Sequence, residues 1–205
     1  MKQIILCLTL LLTGTLAVQA QDAKNAIRQH YADAKAQVAQ MQELEKSGDQ
    51  YPVPQTYTVV IKQNLPGTGY HEETLQMFYR EEMENTEQIY ADLYLDFAVQ
   101  KYNFAAREYY QEYLYDKQGR IEFIYATEPD VIDSIDYEYR FYFSQGRLID
   151  VLVKSRQTGE GETAFKTIYQ GKAVPAQYSE EYKNCVASSK SIMAVFKSID
   201  SNRHL

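Results

Sequence analysis

The sequence predicts an α+β domain: an antiparallel meander of seven or eight strands with an N-terminal and a C-terminal helix packed on it. Three observations predict it. Apolar residues recur at steps of three and four within 22–47 and again within 179–199, but at steps of two from about Thr56 to Tyr169. Turn-forming residues punctuate that middle stretch at hairpin intervals. No low-complexity tract or linker divides residues 22–200, so a single globular domain is expected over 21–205. With 45% apolar and 24% charged residues, the chain is neither a collagen, a coiled-coil rod nor a disordered tail.

Residues 1–20 read as a secretory signal peptide. Lys2 is followed by an apolar run from Ile4 to Val18 and by Val18-Gln19-Ala20, which predicts cleavage after Ala20. An apolar run of about 15 residues falls short of the roughly 20 that span a bilayer, so no transmembrane segment is expected after cleavage. Cys7 lies inside the run behind bulky Ile5 and Leu6, which disfavours a lipid anchor. Cleavage leaves 28 acids against 20 bases, a net charge of −8, and that balance argues against nucleic acid and anionic membranes. Only Cys185 then remains, so no internal disulfide can form. With no Asn-x-Ser/Thr sequon either, the chain suits a bacterial periplasm or the cell exterior.

The elements follow in order. Ile27, Tyr31, Ala34, Val38 and Met41 make one helical stripe, which Gly48, Pro52 and Pro54 close. Strands are expected near 56–63, 71–81, 87–99, 105–116, 120–127, 135–143, 147–155 and 163–169. Turns are expected at Pro66–Gly69, Glu84-Asn85, Lys101–Asn103, Lys117–Gly119, Glu128–Asp130, Ser144–Gly146 and Gly159–Gly161. Leu114–Ile121 recurs 27 residues later as Phe141–Leu148, a hairpin with a Gln-Gly turn used twice. Tyr182, Cys185, Val186, Ser189, Ile192, Met193, Phe196 and Ile199 form the stripe of the last helix, with Ser179 as its N-cap. A closed lipocalin-like barrel is the alternative, because alternating strands look alike in open and closed sheets.

Motifs for chemistry are absent. His71-Glu72 lacks the second histidine of a zincin, only His30 and His204 lie elsewhere, and no metal or cofactor is expected. Glu128, Asp130, Asp133 and Asp136 lack the spacing and central Gly of a calcium loop, and read as a solvated connection. No Gly-x-Ser-x-Gly elbow occurs, Ala173 replaces the Ser/Thr of a phosphate loop after Gly171-Lys172, and Cys185 reads as a buried structural thiol. No catalytic residue can be named. Glycosidase-type carboxylate pairs are not recognisable from spacing alone.

The unusual feature is aromatic: 19 Tyr, 8 Phe and no Trp. In the third strand Ile89, Leu93, Leu95, Phe97 and Val99 read as the core face, and Tyr90, Asp92, Tyr94 and Asp96 as the opposite one. In the sixth, Tyr137, Tyr139, Phe141 and Phe143 read as core, opposite Glu138, Arg140 and Tyr142. Rings interleaved with carboxylates suit sugar binding, since rings stack on apolar sugar faces and carboxylates accept hydroxyl hydrogen bonds. Tyrosines that simply favour strands, covered by a helix, would give the same pattern. The chain is therefore expected to be an exported, non-enzymatic binding domain for a glycan, a peptide or a cell-envelope component, with Tyr90, Asp92, Tyr94, Asp96, Arg140 and Tyr142 as ligand contacts. The alternatives are a carboxylate-dependent hydrolase and an envelope assembly or scaffold protein that uses an exposed strand edge.

Overall fold

A computed structural model describes residues 2–48, 55–83, 90–105, 107–130, 132–158 and 164–202. Helix α1 (Lys2–Ser47) runs through the segment read as a signal and on to the predicted helix end. Eight strands follow: β1 (Thr56–Leu65), β2 (Gly69–Glu82), β3 (Asp92–Phe104), β4 (Arg107–Tyr115), β5 (Ile121–Asp130), β6 (Ile135–Ser144), β7 (Arg147–Gln157) and β8 (Lys166–Gly171). Helix α2 (Ser179–Asn202) ends the chain. The strands form one antiparallel sheet in chain order, open between β1 and β8. The closed-barrel alternative is thereby set aside. Its physical requirement is missing, because both faces of this sheet carry large apolar side chains and each face is covered by a helix instead of by the opposite wall of a barrel.

On one face α2 contributes Cys185, Ile192 and Phe196 to a core with Met77, Leu95, Tyr113, Tyr115, Ile124, Phe141, Val151 and Val153. Tyr137, Tyr139 and Phe141 stack along β6 at centroid spacings of 6.0 and 6.2 Å, and Tyr182 meets Phe141 edge-on at 5.2 Å. The fully buried Tyr115 hydroxyl donates to the Ser189 carbonyl at 2.8 Å, which satisfies its polar end. On the other face α1 lays Ile27, Ala34 and Val38 onto Phe78, Phe97, Val99, Leu114, Phe123 and Tyr142. The fold is thus helix, sheet, helix.

Period two fails at one residue in each of four strands. The register slips by one at Asp96 in β3, at Glu122 in β5, at Ile149 in β7 and at Ile168 in β8, each a β-bulge. In β3, Leu93, Leu95 and Ala98 consequently face α2, whereas Phe97 and Val99 join Asp96 on the α1 face. This corrects the expectation that Leu93, Leu95, Phe97 and Val99 share one face; Ile89, expected on it with them, lies outside the described residues. Two consecutive residues, Asp96 and Phe97, point the same way because the bulge absorbs the extra one.

Smaller differences have local causes. The predicted turn at Lys101–Asn103 lies within β3, where Asn103 pairs with Glu108, and the chain reverses beyond Phe104 with Ala105 at φ 53°. Glu128–Asp130 belongs to β5, and Pro129 is tolerated there because β4 pairs with β5 only as far as Thr127. The repeated Gln-Gly turns differ in length. Asp116 and Arg120 bracket a three-residue loop, whereas Gln145 (φ 50°) and Gly146 (φ 74°) make a two-residue one, so equivalent residues before the turn face opposite sides. Ser179 is not an N-cap: it has helical dihedrals, and its N–H donates to Ala176 in a preceding 3-10 turn. The Glu84-Asn85 and Gly159–Gly161 turns lie outside the described residues.

Ala34 is 1% exposed where α1 meets the sheet. Ala34→Leu is expected to cost about 1–3 kcal/mol by overpacking, measured as a lower urea midpoint. An unchanged midpoint would show that α1 does not press on the sheet.

Candidate functional site

The α1 face of the sheet is acidic and the underside of α1 is basic. Lys24 pairs with Asp150 on β7, and Lys35 donates to Glu112 on β4 at 2.5 Å. His30 bridges two strands: Nε2 lies 2.8 Å from Asp96 Oδ1 and Nδ1 2.8 Å from Glu122 Oε2. Arg80 Nε donates to the other Asp96 oxygen at 2.8 Å, while the Tyr31 and Tyr110 hydroxyls donate to Glu112. Asp96 and Glu112 are each 2% exposed, so these bonds replace nearly all of their hydration. The bulges make this geometry possible, since Asp96 and Glu122 are themselves bulge residues and Asp150 follows the bulge at Ile149.

Electrostatics follow from the bonding. The hydrogen bond to Asp96, with a second to Glu122, raises the His30 pKa from 6.5 to about 9 against the opposing effect of burial. Burial pushes Asp96 upward, but hydrogen bonds from His30 and Arg80 outweigh it and hold the carboxyl below its ordinary value. Burial and the bond to Glu112 keep the Tyr31 phenol protonated.

α1 lies across the predicted ligand face and leaves a cleft on either side. The cleft of about 650 Å³ is lined by Tyr94, Asp96, His30, Arg80, Lys117 and Glu122 among others. The opposite cleft, about 320 Å³, is lined by Ile27, Arg28, Tyr31, Phe123, Tyr125, Arg140 and Tyr142. The helix therefore separates Tyr94 and Asp96 from Arg140 and Tyr142. Asp96 is engaged by α1, and Tyr142 is 3% exposed beneath Lys24, whose Nζ lies 4.8 Å from the ring centroid. Arg140 Nε is 2.8 Å from Glu138 Oε1, misaligned for a hydrogen bond, and its guanidinium lies 5.7 Å from the Tyr125 centroid. Tyr90 precedes β3 and is 65% exposed, Asp92 opens the strand, and neither lines either cleft.

Sequence reading missed His30, Arg80 and Glu122 on one side, Arg28 and Tyr125 on the other, and Glu112 beneath the helix. The available signal was charge complementarity between Lys24, Arg28, His30 and Lys35 in the helix and the acids on alternate strand positions. Sequence reading also missed an acid pair on the α2 face. Glu181 Oε1 accepts from the Cys185 thiol at 3.1 Å and from Gln111 at 3.5 Å, Glu128 Oε2 accepts from Tyr139 at 3.3 Å, and burial raises both carboxyls. Glu128 lines a cleft of about 450 Å³ whose walls do not include Glu181. Cys185 is fully buried, and burial pushes its thiol well up. Among the described residues no cluster of three or more His, Cys, Asp or Glu could hold a metal ion, and no helix is long and apolar enough to cross a membrane. Comparison with family models, with curated proteins and with solved structures gives no match.

Because its folded pKa exceeds its unfolded value, His30 stabilises the fold in full below about pH 6.5 and loses that contribution as the pH climbs through about 9. His30→Gln is expected to lower stability by about 2 kcal/mol near neutrality. The gap to wild type should close between about pH 7 and 10 in denaturant melts at stepped pH. A gap that stays constant across that window would contradict the assignment.

Proposed function

We propose that the protein is an exported binding domain that takes a glycan or peptide of the cell envelope on the α1 face of its sheet, in the cleft between α1 and strands β5 and β6. One observation carries this reading: the rings of Tyr31, Phe123, Tyr125 and Tyr142 and the guanidinium groups of Arg28 and Arg140 converge on one recess of about 320 Å³. That volume is at the small end of the roughly 300–1,000 Å³ of ligand pockets, which suits a single sugar ring or side chain rather than a wrapped polymer. The expected mode changes in one respect. Asp96, Glu112, Glu122 and Asp150 are engaged by α1, so rings and cations, not carboxylates, are the groups this recess offers.

Tyr125 is the residue to test, because Tyr142 is buried and its loss would damage the core. Titration calorimetry against soluble glycans, wall fragments and short peptides is expected to find a binder whose affinity falls about tenfold or more in Tyr125→Ala, a loss of about 1.4 kcal/mol. Binding lost in Tyr94→Ala but kept in Tyr125→Ala would move the site across α1. No binder in any class would count against the reading.

An assembly role is the second reading, favoured by β1. This edge strand is ten residues long, contains no Pro, and exposes Val60 (50%) and Ile61 (43%). The opposite edge, β8, is six residues long and pairs through a register slip. A long apolar edge is a template for strand addition. If assembly is the function, light scattering should detect a dimer or larger species that Val60→Lys returns to monomer. A monomeric wild-type protein would remove this reading.

A further inference from the structure

We infer that the recess beside α1 selects an acidic sugar, a glycan unit bearing a carboxylate. This deepens the binding reading above and rests on it. Arg28 projects from α1 into solvent with its guanidinium 5.9 Å from the Tyr142 centroid, and it has no carboxylate partner among the described residues. Arg140 lies over Tyr125 from the sheet side. Glu138 is shared between Arg140 at 2.8 Å and Lys154 at 3.4 Å, so one acid faces two cations. Of the residues that line the recess, Arg28 and Arg140 are cationic and none is acidic, in a chain whose full-length net charge is −7. Two further acids on this face of the sheet, Glu112 and Asp150, are matched by Lys35 and Lys24.

A guanidinium lying on a ring keeps its N–H edge outward, and two such groups on opposite walls suit the planar fork of a carboxylate. The rings supply the apolar surface that a sugar face requires. A peptide is disfavoured by the strands. Around Phe123, Tyr125, Arg140 and Tyr142 both β5 and β6 pair on both sides, so the backbone N–H and C=O groups there are engaged and offer no ladder to an extended chain.

The test compares galacturonate and mannuronate oligomers with their uncharged methyl esters, by calorimetry on wild-type protein and on Arg28→Gln. At least one acidic oligomer is expected to bind about tenfold or more tightly than its ester, and Arg28→Gln should remove that difference while leaving the melting temperature unchanged. Added salt should weaken the acidic oligomer and spare the ester. Equal affinities for acid and ester, or unchanged acid binding in Arg28→Gln, overturn the inference. If a neutral glycan or a peptide binds through Tyr125 while no acidic oligomer does, the inference falls and the binding reading stands. If nothing binds, both fall.

Discussion

The structure depends on one interaction: two nearly inaccessible carboxylates on the sheet, Asp96 and Glu112, whose partners come largely from one helix. A buried carboxylate stripped of water is costly unless it is paired and hydrogen-bonded, and removing a single partner from such a group destabilises far more than the intact pair stabilises. Asp96 receives His30 and Arg80, and Glu112 receives Lys35, Tyr31 and Tyr110. Three of those five donors belong to α1. The helix is therefore a fixed layer of the fold, seated in one register by charge as well as by Ile27, Ala34 and Val38.

The bulges connect this pairing to the site. An ideal strand places one residue in two on each face, so an acid followed directly by a large apolar residue would send one of them to the wrong side. At Asp96-Phe97 and Glu122-Phe123 the extra residue lets both face α1, the acid meeting His30 and the ring joining the core. The apolar contact and the ion pair thus come from adjacent residues at the same place. With α1 held across the sheet, the tyrosine-rich face is divided into two clefts, and the smaller one is left with rings and cations because the helix has taken up the neighbouring acids.

Much of the architecture was legible because period two and period 3.6 differ plainly along this chain. The strand count, the meander and the stripe of α2 from Tyr182 to Ile199 are present as expected. Bulges leave no such trace: Asp96-Phe97-Ala98-Val99 reads as uninterrupted alternation until its neighbour's register is known. Asn103 resembles a turn residue yet lies in β3, since the length of a hairpin is settled between two strands and not within one. Tyr94, Asp96, Arg140 and Tyr142 were correctly assigned to the face opposite the α2 core, but which of them a helix would cover depended on the path of α1. His30 carried no local motif at all. Its role arises from two acids 66 and 92 residues away.

The most direct test of the account is native-state hydrogen exchange of the α1 backbone amides between residues 24 and 41. If the helix is a fixed layer held by buried ion pairs, these amides should exchange with the same opening free energy as the central strands β3 to β6, in a single cooperative unit. Amides in α1 that open well before the sheet, with the strands still protected, would contradict it and make α1 a detachable cover over the tyrosine face.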